Sequence, residues 1–221
     1  STQFASSAAS YVYKRQEDGN VVVTTGHPDI GGSRASIANI TAELLGIHHD
    51  KVSVLIGDTA TIGYSNLTGG SRVLFASAMV VTESAKIVIK QLKQRAAKIW
   101  GIDEEAIEWE NGEARPAGDN AGKFAPLTLA ELAEKATATG GPIGAGYQVN
   151  TEGAEGGFAT HICDVEVDMD LGIVRVKRYT SIQDVGKAIH PDYVEGQLHG
   201  GCVQGIGLSL IHISEPTRRE G

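Results

Sequence analysis

NVVVTTGHPDIGGSRASIANITAELLGIHHDKVSVLIGD, residues 20–58, decides the fold class. Its β-branched run, Val21 to Thr25, is closed by Gly26 and predicts a strand. Ile37, Ile40, Leu44 and Leu45 then recur near helical spacing, and the pattern stops at Gly46. A polar link, GIHHDK, leads to Val52, Val54 and Ile56, which alternate as in a strand with one buried face. A strand, a glycine-rich loop, a helix and a second strand therefore follow one another within forty residues.

Working outward, residues 71–100 form the longest helix candidate, with Val80, Ile87, Ile89, Leu92, Ala96 and Ile99 among its apolar positions. IEWENGEAR (107–115) predicts a small hairpin turning at Asn111-Gly112, and PAGDNAGKFAP (116–126) a surface loop. Thr128 is placed to cap a short helix, TLAELAEKA. Residues 137–157 are glycine-rich and aperiodic. Residues 159–182 alternate on both sides of Asp170-Leu171-Gly172, which predicts a strand, a turn and a strand. HPDYVEGQLHGGCVQGIG (190–207) opens with Pro191 at a first helical turn and becomes glycine-rich. Strands and helices alternate without a strict βαβ rhythm, and two turns imply antiparallel pairs. The expected class is α+β, or mixed α/β.

The chain has 221 residues and a formal net charge of −8. That balance excludes a nucleic acid held by a basic surface. Cys163 and Cys202 stand far apart without paired spacing, which gives neither a disulfide framework nor a zinc site and points to a reducing, cytoplasmic compartment. No apolar run reaches membrane-spanning length.

Both ends differ in character from the middle. Back-translated as GTG TAT AAG AGA CAG, Val12 to Gln16 has an opposite strand that encodes Leu-Ser-Leu-Ile-His, the residues at 208–212. Inverted repeats of this kind resemble translated transposon-type sequencing adapters, with one departure at Tyr11. Residues 1–16 and 208–221 are accordingly expected to be adapter-derived and outside the fold, leaving 17–207 as the natural segment. The alternative makes residues 6–16 a polar N-terminal strand and 208–213 a short apolar strand.

Three segments share one design: DIGGSR (29–34), TGGSR (68–72) and GGCVQGIG (200–207) each set paired glycines at or beside an expected helix end. Glycine lets a ligand approach the backbone and permits positive φ. A helix N-terminus adds unpaired N–H groups and partial positive charge, which suits phosphate. Ser33 and Ser71 are expected at cap positions, and Arg34 and Arg72 add charged donors. Ordinary capping explains one such site; three in one acidic chain point to a large, partly anionic ligand.

VVVTTGHPDIGGSRASIANITAELLGI, TGGSRVLFASAMVV and FATHICDVEVDMDLGIVRVKRYTSIQDVGKAIHPDYVEGQLHGGCVQGIG resemble consecutive parts of the molybdopterin-binding large subunit of the xanthine dehydrogenase and aldehyde oxidase family, including the large subunits of carbon monoxide dehydrogenases. One departure is Gly31-Gly32-Ser33, where most members carry Gly-Gln-Gly. The resemblance implies that Gly31, Gly32, Ser33 and Arg34 line one side of the cofactor. Thr68, Gly69, Gly70, Ser71 and Arg72 would bind its pyrophosphate or dithiolene region, and Gln204 would hydrogen-bond the pterin. It implies molybdenum on a molybdopterin cytosine dinucleotide, held through the pterin dithiolene with no protein metal ligand. It further implies an iron–sulfur subunit and an FAD-binding subunit as partners, and a small substrate: an aldehyde, a purine, an N-heterocycle or carbon monoxide. The family's catalytic glutamate belongs to a segment after the last glycine motif, so no catalytic residue is expected within 17–207 and the piece alone is expected to be inactive. The other reading is a noncatalytic nucleotide-binding or cofactor-carrying module.

The remaining polar candidates read as structural. His48 and His49 lie in a solvated link, His190 in an ordered turn and His161 on a strand, while His199 is the exception, beside the last glycine motif and placed to reach the pocket. Asp184 is placed to fix the turn after it. Asp29 and Glu195 are the other carboxylates near the cofactor motifs.

Overall fold

The computed structural model describes residues 6–13, 19–57, 65, 68–151 and 156–214. It divides into two compact units, Ser1–Gly153 and Ala154–Gly221, with the division inside the aperiodic glycine-rich stretch.

In the first unit β1 (Ser6–Tyr13) is followed by β2 (Val21–Thr25), α1 (Ser33–Leu45), β3 (Val52–Ile56) and α2 (Arg72–Trp100). Then come β4 (Ile107–Glu110), β5 (Glu113–Pro116), β6 (Leu127–Thr128), α3 (Leu129–Glu134), α4 (Ala136–Thr139) and β7 (Gly144–Thr151). A four-stranded sheet has the order β3-β2-β1-β7, and β4-β5-β6 form a second sheet. β2 and β3 are parallel, with Val21 opposite Val52 and Val23 opposite Val54, so α1 is a crossover helix. β1 runs antiparallel to both β2 and β7.

This corrects the reading of residues 1–16 as lying wholly outside the fold, because the backbone of Ser6–Tyr13 occupies a central place in the larger sheet. Strand pairing carries no information about where those residues came from.

Burial explains the helices. α1 turns Ile37, Ala42 and Leu45 inward, and α2 buries Val81, Ala85, Val88, Leu92 and Ala96 along one stripe against Val21, Val23 and Leu132 in the same core. Ile87, counted among the apolar positions, is on the outer face. The Gln91 amide holds the start of β7 in both directions, donating to the Gly144 carbonyl at 3.0 Å and accepting from its N–H at 3.1 Å. Thr128 caps α3 in a complete capping box with Glu131, whose carboxyl is held below its ordinary value chiefly by the Thr128 N–H. The hairpin turns at Asn111 and Gly112, both at positive φ.

The second unit consists of β8 (Ala159–Asp168), β9 (Ile173–Gln183) and α5 (Pro191–Ser214). Asp168 organises the hairpin turn by accepting from the N–H groups of Asp170 and Leu171, each at 3.0 Å. None of its described side chains is buried; Phe158, Met169 and Leu171 are each more than two-thirds exposed.

Two expectations for the last segment change. Gly200 to Gly207 lie in the interior of α5 and not at a helix end, and residues 208–214 continue the same helix. Interior glycines cost about 1 kcal/mol each relative to alanine, which is why the segment reads locally as a helix end. Among the described residues no helix is long and apolar enough to cross a membrane.

Candidate functional site

The candidate site is built from two helix starts in the first unit. α1 is entered through Gly31 (φ 61°) and Gly32 (φ 75°), and α2 through Gly70 (φ 61°) and Ser71 (φ 59°). Two successive left-handed residues thus open each helix, although the identical letters Gly-Gly-Ser-Arg are used differently. Gly32 is the N-cap of α1, so Ser33 is its first helical residue; Ser71 is the N-cap of α2, so Arg72 is the first.

The expected capping hydroxyls are absent from both starts. Ser33 is buried, and its Oγ donates to the Pro28 carbonyl at 3.2 Å and accepts from the Ile30 N–H at 3.3 Å. It therefore braces its own loop. Ser71 makes no side-chain cap bond. Arg34 is also committed locally: its Nε lies 3.2 Å from Asp29 Oδ2, while its backbone N–H donates to Asp29 Oδ1 at 3.0 Å. Asp29 is thus the acceptor for the first turn of α1.

At α2 the donors remain open. Thr68, Gly69, Gly70 and Ser71 are exposed, and the backbone N–H groups of Gly69, Gly70 and Ser71 donate no hydrogen bond among the described residues. The first turn carries no carboxylate. A Cβ built on Gly70 meets nothing within 4 Å, so an anion could rest directly on this backbone. The 29-residue helix behind it supplies the partial positive charge of its dipole.

One residue ties the two starts together, and sequence reasoning missed it. His27 is 1% exposed, the only buried histidine among the described residues. Its Nδ1 lies 3.1 Å from Ser77 Oγ in the second turn of α2, and its own N–H reaches Thr25 Oγ1 at 3.4 Å. Nε2 has no hydrogen-bond partner among the described residues. Burial, and secondarily the Arg72 guanidinium, hold its pKa below the ordinary imidazole value. The available signal was an imidazole between Gly26 and Pro28 directly ahead of a glycine pair.

The sign of the linkage is definite. A lowered pKa means that the unfolded chain binds more protons than the folded one as pH falls below about 6.5. The stability from neutral, buried His27 is therefore complete above that pH and is lost on acidification toward the folded-state value. Urea midpoints measured between pH 7.5 and 5 should fall more steeply for the wild-type chain than for His27→Gln; parallel curves would contradict this.

Gln204 lies on α5 in the second unit and is exposed. A dinucleotide fingerprint at 200–207 fails on local geometry, since the glycines neither follow a strand nor open a helix.

The other candidates behave structurally. Asp184 Oδ1 accepts from the Gly186 N–H at 2.9 Å, fixing its turn as expected. His190 stacks on Tyr193 at 3.9 Å. His48, His49 and Asp50 bring one ligand atom each within 4.8 Å of one another, but all three are exposed, and His48 is engaged as the cap of a 3-10 turn. His199 and Glu195 are exposed on α5.

The family model for the molybdopterin cofactor-binding domain matches residues 2–213. The chain belongs to that family. It is 30% identical over 207 residues to the nicotine 6-hydroxylase large subunit of Paenarthrobacter nicotinovorans, covering 90% of this chain and 25% of the relative. It is 27% identical over 194 residues to the carbon monoxide dehydrogenase large chain of Hydrogenophaga pseudoflava, covering 81% and 22%. Among solved structures, quinoline 2-oxidoreductase from Pseudomonas putida 86 superposes with a TM-score of 0.78 at 27% identity, covering 91% of this chain and 26% of that one. The chain thus spans about a quarter of the length of these relatives. This molybdopterin-binding family is one of molybdenum oxidoreductases, and the mixed helix and strand class read from the sequence is the class observed.

Proposed function

We propose that this chain is a part of a molybdenum hydroxylase large subunit whose first unit receives the anionic portion of the molybdopterin cofactor. The observation that carries the reading is the row of N–H groups at Gly69, Gly70 and Ser71 that have no acceptor among the described residues, opening a long helix and tied through His27 and Ser77 to the Gly31-Gly32 loop. The donor set fits the group. Uncharged N–H donors, a helix dipole and open space over Gly70 suit phosphate oxygens, and Arg72 adds positive charge at the same helix start. In this reading Thr68, Gly69, Gly70, Ser71 and Arg72 hold the phosphates of a cytosine dinucleotide form. Gly31 and Gly32 line the neighbouring side, with Ser33 and Arg34 bracing that loop, and Gln204 hydrogen-bonds the pterin.

The bound cofactor supplies the redox chemistry of hydroxylation with water as oxygen source; this chain's residues bind and orient it. The proton-accepting glutamate is assigned to a neighbouring segment of the longer protein, and onward electron transfer to iron–sulfur and FAD-binding subunits in the cytoplasm. The substrate belongs to the set of aldehydes, purines, N-heterocycles and carbon monoxide. Nicotine 6-hydroxylase and quinoline 2-oxidoreductase, by their names, act on N-heterocycles, which favours that class. We further propose that residues 1–16 and 208–221 are adapter-derived in origin, with 17–207 the natural segment.

The test uses the longer large subunit with Ser71→Asp. A carboxylate at the N-cap would set a negative charge beside these N–H groups and repel phosphate, so molybdenum and acid-released cytidine monophosphate per chain should fall by about tenfold or more, a loss of only ~1.4 kcal/mol. Undiminished cofactor content in a folded variant would overturn the assignment.

A further inference from the structure

We propose that His27 is the positioning residue of this anion site: a neutral imidazole that locks the β2–α1 loop onto the first turns of α2 and offers its Nε2–H to the anionic ligand received there. The proposal rests on the anion-binding reading above and goes beyond it, assigning a residue, a tautomer and a hydrogen-bond donor.

His27 sits two residues after β2 and five before the α1 N-cap, and its hydrogen bond to Ser77 spans fifty positions of sequence. That contact joins the two elements bearing the paired left-handed starts. Its fully buried ring leaves one nitrogen without a partner. An unpaired polar atom in such a place is destabilising, and a ligand oxygen would satisfy it.

Hydrogen-bond accounting selects the tautomer. Ser77 is 1% exposed, and among the described residues its hydroxyl makes no hydrogen bond other than that with Nδ1. If Nδ1 carried the proton, the imidazole would donate, and the Ser77 O–H would be buried without an acceptor. With the Ser77 O–H donating to Nδ1 the hydroxyl is satisfied and the ring proton resides on Nε2, the atom with unused capacity. Among the described residues, the charged group acting on the ring is Arg72 on α2; the loop itself carries the Asp29–Arg34 pair, and β2 contributes the uncharged Thr25. Arg72 opposes a second ring proton, so the group remains a neutral donor beside a fixed cation.

The experiment is heteronuclear NMR of the full chain, isotopically labelled, with inorganic pyrophosphate as the probe. In the free protein the His27 ring should show a neutral, Nε2-protonated imidazole. Titration should move the Nε2 resonance along the same saturating curve as the Gly70 and Ser71 amides. His27→Gln, which retains an N–H near the Nε2 position, should keep pyrophosphate affinity within about threefold, whereas His27→Ala should weaken it about tenfold. An Nδ1-protonated ring overturns the proposal, as does a silent imidazole while the Gly70 and Ser71 amides respond; in the latter case the anion site itself survives. Silence of both amides and imidazole overturns the anion reading and this proposal with it. The wild-type tautomer decides the matter even where His27→Ala does not fold.

Discussion

Deleting residues 1–16 should cost the first unit about 4 kcal/mol or more, counting 0.5–1.5 kcal/mol net for each ladder hydrogen bond lost. Ser10 to Tyr13 pair with β2, and all eight residues of Ser6–Tyr13 pair with β7. Among the described strands, β2 without β1 retains only its parallel partner β3, and β7 loses its only partner in the sheet. Urea unfolding followed by circular dichroism would report the loss, and hydrogen exchange should show the β7 amides losing protection first. An unchanged midpoint would mean that these residues behave as the disposable tail suggested by their adapter-like sequence. Foreign origin and structural use are compatible, since a strand asks chiefly for backbone pairing.

The second large effect is expected at Gly46. This residue ends α1 at φ 69°, and a Cβ there would lie 2.5 Å from the Gly112 nitrogen and 2.9 Å from the Asn111 carbonyl carbon. Backbone atoms of a tight turn cannot rotate aside as a side chain can. Gly46→Ala should therefore combine left-handed strain with overpacking, about 2–5 kcal/mol together. Gly101 is the internal control: it ends α2 at the same φ of 69°, yet nothing lies within 4 Å of its added Cβ. Gly101→Ala should show the strain alone, about 1–2 kcal/mol. The Trp109 indole N–H, which donates to the Leu45 carbonyl at 3.0 Å, makes tryptophan emission a reporter of the same contact. Equal losses for the two variants would contradict the close-approach account.

β2, α1, β3 and α2 were legible because each carries its period and its stop within a short window: the Val21 to Thr25 run, Leu45 before Gly46, Trp100 before Gly101. β7 was not, since Gly144 and Gly146 erase any alternation and the strand is specified by pairing with β1. α5 was half legible. Pro191 marked its start, but no local signal separates a glycine-rich helix interior from a glycine-rich loop. At the site, the glycine pairs and the helices behind them could be read directly. The roles of Ser33 and Arg34 could not, because each is decided by a loop partner, Pro28 or Asp29. His27 lay further out of reach, since its burial depends on a serine in another helix.

The two Gly-Gly-Ser-Arg segments also bear on how such loops can be exchanged. They match letter for letter but sit one residue out of step with their helices, so they are homonyms and not copies. A chimera splicing one loop in place of the other, aligned on the shared letters, would advance the recipient helix by one residue, or about 100° of rotation. Applied to α2, that turn would swing Val73, Ala76 and Val80 away from the interior and carry Ser77 out of reach of His27. Aligning Gly32 with Ser71 instead would preserve the helix phase, at the expense of the visible match.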